Sequence, residues 1–349
     1  MSGAGQLAYG QAVTAQPLDG IRVLDLTTFL SGPYAAMVLG QLGADVVKIE
    51  PPTGDPTRAG RPVPDSDFWF ALHRGRRSVV LDLKQPDDHA RLLAMVPRFD
   101  VVLDNARSGV MERLGLGPAV FRAAHPTIIT CSITGYGDGG SNAPAIDGVI
   151  QAATGAFDLP VVFGQPSGPV PAQIADLAGG SAASQAILAA LYHRSRTGEG
   201  THISIALTDA LLPWLSIVDR SGSMRSPGTI VAAGSDGRRF VIQTPMHFRD
   251  RLAALLGIEY APTDEYAQTV RDRMETRPAA EWLAALAAEG IPAAEVHSYD
   301  QALAMSSAAT EVVAGRRVPA SPFVFDGIRR PSNAAPPTLG QHTADDVDS

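Results

Sequence analysis

Cysteine is nearly absent from this chain. The 349 residues hold one, Cys131, inside the apolar run TIITCSI at 127–133. A single thiol excludes an internal disulfide framework and cysteine-rich metal sites, and it suits a reducing compartment. With no basic residue beside it in sequence, Cys131 reads as a buried strand residue rather than a reactive thiol. Metal-ligand spacing is missing too. The histidines stand scattered at 73, 89, 125, 193, 202, 247, 297 and 342 with no H-x-x-x-H pair, so no metal is expected. The G-x-S-x-G elbow of an esterase does not occur. No stretch approaches 18 consecutive apolar residues, and the first 17 lack a basic segment followed by an apolar one. A cytoplasmic protein with no membrane partner is the expectation. Positive charge is in deficit, 28 Lys and Arg against 36 Asp and Glu for a net charge of −8. That balance argues against a nucleic-acid partner, whose affinity depends on neutralised phosphates.

What the chain does carry is alternation. At 45% hydrophobic residues it can bury a substantial core, as one large or two ordinary domains. The apolar run 21–26 is followed by Ser31 as a helix cap, Pro33 in the first turn and a helix reaching Gly43, then by the run 45–50. A strand, a helix and a strand joined this tightly imply parallel pairing. Further strands read at 77–83, 100–105, 127–133 and 201–207, with helices at 86–96, 118–124, 145–156 and 180–196. Interleaving of this kind predicts an α/β fold with a doubly wound parallel sheet and ligands at the strand carboxyl ends. The segments 51–67 and 158–173 are too rich in Pro and Gly for regular structure. From 217 to 228 the chain reads as a linker, and 229–310 as a smaller α+β domain with helices near 248–256, 264–274 and 278–289.

Three features carry candidate chemistry. Residues 135–140 satisfy G-x-G-x-x-G after a strand, but Pro144 delays the helix that a dinucleotide site needs, so a plain glycine loop is the better reading. Arginines cluster at 74, 76 and 77, with Arg58, Arg61 and Arg107 in neighbouring loops. In an acidic protein that density suits a polyanion, since guanidinium forks bind phosphate bidentately. The third feature is Asp176 at the mouth of an Ala-rich helix, followed by Gly179 and Gly180. A helix cap accounts for the carboxylate alone. The two glycines, each costing about 1 kcal/mol inside a helix, suggest room for a ligand and free N–H groups for an oxyanion. A carboxylate placed so is a candidate covalent nucleophile.

The ordered set LDGIRVLDLTTFLSGPYAAMVLGQLGADVVKIEPPTGDPTR, HRGRRSVVLDLK, VVLDNARSGVMERLGLG, SITGYGDGG, IADLAGGSAASQAILAALYHRSRTGEGTHISIAL, EWLAALAAEGIPAAEV and LGQHTADDV resembles the class III coenzyme A transferase family. The resemblance implies a Rossmann-like large domain at 18–216, completed by 318–349 within a return segment that begins at 311, and an obligate homodimer of interlocked rings. It implies acyl-CoA and a carboxylic acid acceptor as substrates, coenzyme A as the carried group, and Asp176 as the nucleophile that forms an acyl anhydride and then a CoA thioester. It places coenzyme A against Thr28, Phe29, Leu30, Ser31, Arg76, Arg77, Asn105, Ala106, Arg107 and Arg113. The racemase branch of the family uses a histidine as a second base; the aligned triplet here is Ala145-Ile146-Asp147, with isoleucine in its place. Transfer is therefore expected rather than stereoinversion, which needs acid and base on opposite faces of the α-carbon. A racemase or epimerase of the same fold, or a non-catalytic CoA-binding subunit, are the alternatives. The stretch after Trp214 is shorter than is usual in the family, and no glycine-run loop of the kind that shields the anhydride occurs.

Overall fold

Short runs of β-branched residues build a single parallel sheet, and two of its interior strands, DVVKIE and VVLD, are buried almost throughout. Burial on both faces is what helices packed above and below such a sheet produce. The computed structural model describes residues 16–61, 66–162, 165–218, 228–305, 309–329, 331 and 334–348. Its contacts divide the chain into a larger unit, drawn from Met1–Phe157, Gly168–Ser216 and Ala309–Ser349, and a smaller one, drawn from Asp158–Ser167 and Ile217–Ala308.

In chain order the larger unit holds β1 (Arg22–Asp25), α1 (Ser31–Gln41), β2 (Asp45–Glu50), α2 (Asp67–His73), β3 (Arg77–Val80), α3 (Pro86–Met95), β4 (Val101–Asp104), α4 (Val110–Arg113), α5 (Pro118–Ala124), β5 (Ile129–Thr134) and α6 (Asp147–Thr154). After a single turn that belongs to the smaller unit, α7 (Leu159–Val162), the larger unit continues with α8 (Ile174–Thr197), β6 (His202–Ala206) and α9 (Leu207–Ser216). The six strands lie in the order β3-β2-β1-β4-β5-β6, all parallel. The order reverses between β1 and β4, and ligands of doubly wound sheets bind outside the strand ends at such a reversal. Leu24, paired in register with Val47 on one side and Val102 on the other, anchors a core shared with Leu92, Phe99 and Phe121.

Several boundaries differ from expectation for identifiable reasons. Segment 51–67, expected to be irregular, contains a 3-10 turn at Pro56–Arg58 capped by Asp55, and α2 starts at its end under a Ser66 cap. Segment 158–173 likewise holds the turn α7. Ser31 is the first residue of α1 rather than its cap; the cap position falls on Leu30, which makes no side-chain capping bond, and the Ser31 hydroxyl donates to Asp176. The longest element, α8, begins at Ile174 rather than 180 and runs 24 residues. By length and composition alone it could cross a membrane, but half of its most apolar window is buried inside the protein, where it packs on α1, α6 and α9.

The end of the chain lies along β3. His342 pairs in parallel with Val79 and its amide donates to the Ser78 carbonyl at 2.9 Å. Val347 joins the sheet core, and the Arg77 guanidinium donates to the Asp346 carbonyl at 3.0 Å. The smaller unit has an antiparallel sheet of β7 (Thr229–Ala233), β8 (Arg239–Gln243) and β9 (Ala293–Glu295), with α10 (Met246–Leu256), α11 (Asp264–Met274), α12 (Ala279–Ala288) and α13 (Tyr299–Ala304). Phe240, Ile242, Val270, Trp282 and Leu286 form its core. The expected linker falls mostly outside the described residues. A hairpin of β10 (Thr310–Val313) and β11 (Arg316–Pro319) returns the chain to the larger unit.

Candidate active site

The loops that leave β1, β4 and β5 converge at the strand-order reversal and surround a cavity of about 760 Å³. Thr28, Phe29, Leu30, Ser31, Asn105, Ala106 and Arg107 line it, together with Asp147 and Asp176. Asp176 is the third residue of α8, not its cap: the cap position is Gln173, whose side chain makes no capping bond. The cap comes from another helix. Asp147 Oδ1 accepts the amides of Ala175 at 2.8 Å and Asp176 at 3.2 Å, while its Oδ2 accepts Gln151 Nε2 at 2.6 Å. Gln151 is itself fixed by the Val170 amide and the Ala172 carbonyl. Asp147 thus satisfies two otherwise free N–H groups of α8. It also stands as an anion beside the next carboxylate. Burial first, and the Asp147 charge second, push the Asp176 carboxyl up to about 6, against a hydrogen bond from the Ser31 hydroxyl that pulls it down.

The loop before α1 is held through the backbone groups of Thr27 and Thr28. Asp25 accepts the Thr27 amide at 2.9 Å, and the buried Lys48 ammonium donates to the Thr27 carbonyl at 2.6 Å. Asn105 accepts the Thr28 amide at 2.8 Å and donates to the Thr28 carbonyl at 2.7 Å. Asn105, expected to touch coenzyme A, lines the cavity, and its amide ties the ends of β1 and β4 together. Between these clamps Phe29 sits at φ 63°, a region a bulky L residue rarely enters.

The expected arginine cluster separates on folding. Arg76 is buried, donating to Asp25 at 2.8 Å and to the Pro33 carbonyl, so it braces the loop beneath the cavity rather than lining it. Arg58 forms a buried two-pronged pair with Glu50, both bonds 2.6 Å. Arg77 pairs with Asp45 on the sheet edge. Arg113, at the end of α4, is exposed and does not line the cavity. Ion pairing inside a low-dielectric core explains the difference: a buried guanidinium is too costly without its carboxylate to remain available to a ligand. Arg107 is exposed and is the cation that lines the cavity among the described residues.

Gly179 and Gly180 lie in the second turn of α8, past the free N–H groups, so they form no oxyanion site. A methyl on Gly180 would sit 2.5 Å from the Ser31 carbonyl oxygen and 2.9 Å from the Tyr34 ring; one on Gly179 would sit 2.2 Å from Leu207 Cδ2. The close approach they permit is that of α1 and α9, not of a ligand. In the glycine loop, Gly135 and Tyr136 line the cavity and no helix begins before Asp147. Cys131 is buried in β5, its thiol pushed up by burial and then by Asp104. Asp104 is raised to about 6 mainly by burial, with Ser132 donating to it at 2.6 Å. Among the described residues no group of three His, Cys, Asp or Glu side chains is arranged to hold a metal.

A doubly wound sheet with an aspartate held in the crevice at its reversal is the architecture of an α/β enzyme. The chain belongs to CoA-transferase family III, whose model matches residues 18–343. It is similar to the acetyl-CoA:oxalate CoA-transferase of Acetobacter aceti, 33% identical over 79% of each chain. It is also similar to a probable fatty acyl-CoA transferase of Mycobacterium tuberculosis, 31% identical over 95% of this chain and 97% of that one. The crystal structure of that protein superposes with a TM-score of 0.79 over 95% of this chain and 99% of that one, at 30% identity. A CAIB/BAIF family protein from Brucella suis superposes with a TM-score of 0.81 over 95% of this chain and 98% of the other, at 28% identity.

Proposed function

We propose that the protein moves coenzyme A from an acyl-CoA donor to a carboxylic acid, with Asp176 as the covalent carrier. The observation that carries this reading is the Asp176 carboxyl, raised to about 6 and lining the same cavity as Arg107. Such a group is ionised at neutral pH yet more basic than an ordinary aspartate, which suits a nucleophile. An Asp176 oxygen attacks the thioester carbonyl, the carbon–sulfur bond breaks, and CoA leaves as thiolate, giving an acyl-aspartyl anhydride. The thiolate returns to the Asp176 carbonyl carbon and displaces the donor acid as carboxylate. The acceptor carboxylate then attacks the resulting aspartyl-CoA thioester, freeing the thiolate a second time. Its attack on the acceptor's acyl carbon delivers the new acyl-CoA and restores Asp176. Every step exchanges one acyl–oxygen or acyl–sulfur bond for another, so no oxidant, reductant or net proton is consumed.

In this scheme residues 28–31 run beside the thioester and Arg107 meets a CoA phosphate, for which a free guanidinium is well matched. Asp147 positions Asp176 by fixing the first turn of α8. Stereoinversion is disfavoured because Ile146, which lines the cavity where a second base would be needed, carries no titratable group. The family resemblance further implies a homodimer, and the half-exposed Leu212 and Trp214 on α9 support an apolar interface.

Asp176→Ala is expected to lower CoA exchange about a thousandfold or more, the scale set by removing a covalent nucleophile, while CoA binding persists. Hydroxylamine or borohydride trapping during turnover should label Asp176 in the unmodified protein. Undiminished exchange in the variant, read by mass spectrometry of the thioesters, removes this mechanism.

A further inference from the structure

Large apolar groups stand exposed around the proposed nucleophile. Phe29 is 57% exposed, Phe68 42% and Ile146 70%, and all three line the Asp176 cavity. Apolar residues scattered singly over a surface need no explanation, but three lining one cavity mark a place that something apolar covers. Charge points the same way. Among the described residues lining the cavity, Asp147 and Asp176 are anions and Arg107 is the sole cation.

Phe29 supplies an independent observation. Its φ of 63° is one that glycine occupies freely and a phenylalanine does not. The clamps already described hold Thr27 and Thr28, and on the other side the Tyr34 amide donates to the Leu30 carbonyl at 2.7 Å. A strained backbone fixed from both sides, carrying an exposed ring at a ligand cavity, is strain retained for contact.

We propose that the acids this site exchanges are monocarboxylic with a bulky apolar body, and that Phe29 and Ile146 select them against dicarboxylic acids. The proposal rests on the CoA-transfer reading. With Arg107 engaged by a CoA phosphate and Asp176 held as its CoA thioester, the distal carboxylate of a dicarboxylic acid would meet apolar side chains and the Asp147 carboxylate, without a cation of its own among the described lining residues. A charge desolvated and unpaired in this way is rejected, whereas a branched or aromatic body covers the exposed wall.

The test uses the full chain with hexanoyl-CoA as donor and equal concentrations of 4-methylpentanoate, 3-phenylpropanoate and glutarate as competing acceptors, the products separated by mass spectrometry. The two apolar thioesters are expected to form about tenfold or more faster than glutaryl-CoA. Phe29→Gly should raise KM for the apolar acceptors more than it changes kcat, and should raise Tm by relieving the backbone. Ile146→Arg should shift the ratio toward glutaryl-CoA. Glutaryl-CoA formed as fast as the apolar thioesters, or a product ratio that neither variant moves, overturns the proposal while leaving CoA transfer in place. Absence of transfer to any acid, with CoA binding intact, overturns the CoA-transfer reading and this proposal with it.

Discussion

Asp176 and Asp147 sit 29 positions apart in sequence, on different helices, and meet at the first turn of α8. Because Asp176 titrates near 6 rather than in the usual aspartate range, the proposed nucleophile gains a proton as pH falls through that value. The acid limb of kcat/KM should therefore have its midpoint near pH 6 and fall about tenfold per unit below it. Asp147→Asn removes the neighbouring anion, so the limb should move to lower pH. Asp104 is raised to a similar value, but it does not line the cavity, and Asp104→Asn should leave the midpoint in place. A limb unmoved by Asp147→Asn would mean that burial alone sets the midpoint. At this scale Asp176 was conspicuous in the sequence, since an aspartate followed by two glycines is an odd way to open a helix. Its partner was not. Asp147 reads in sequence as an ordinary start to its own helix, and only a hydrogen bond across 28 residues reveals what else it caps. Arg76 misled for the complementary reason: a charge cluster in sequence says nothing about which member finds a buried carboxylate such as Asp25.

Between elements, the decisive contact is that of α1 with α8, where Gly180 lets the Ser31 carbonyl come close. Asp176 lies one turn earlier on the same face of α8, which is how the Ser31 hydroxyl reaches it. Gly180→Ala gains about 1 kcal/mol of helix propensity. It also drives a methyl into backbone and a ring, and overpacking of that kind costs about 1–3 kcal/mol. The variant should melt lower and lose activity as Ser31 shifts from Asp176. Gly179→Ala meets only the far end of the Leu207 side chain, which can swing aside, and should be milder on both counts. Thermal melts of the two variants, read against each other, check the point. The glycines were visible in sequence, but their purpose was misassigned. A missing Cβ records that something comes near without recording whether it is a ligand or another helix.

Across the whole molecule, strand periodicity made the six-stranded sheet readable, since each strand keeps its own apolar run and short connections force parallel neighbours. The hairpin of β10 and β11 and the run along β3 were not readable from pattern, because 334–348 has neither strand nor helix periodicity and docks through backbone bonds and separate apolar residues such as Ala344 and Val347. If the interlocked homodimer is correct, light scattering should give twice the chain mass across the concentrations at which exchange is measured. A fully active monomer would refute it. The return of the chain to β3 has a bearing on biosynthesis. A ribosome releases residues 22–80 long before His342, so the outer edge of β3 waits unpaired while some 260 residues are still to be translated at about 5–20 per second. Until the segment that carries His342 emerges, the nascent protein is thus open to adhesion and chaperone capture along that strand.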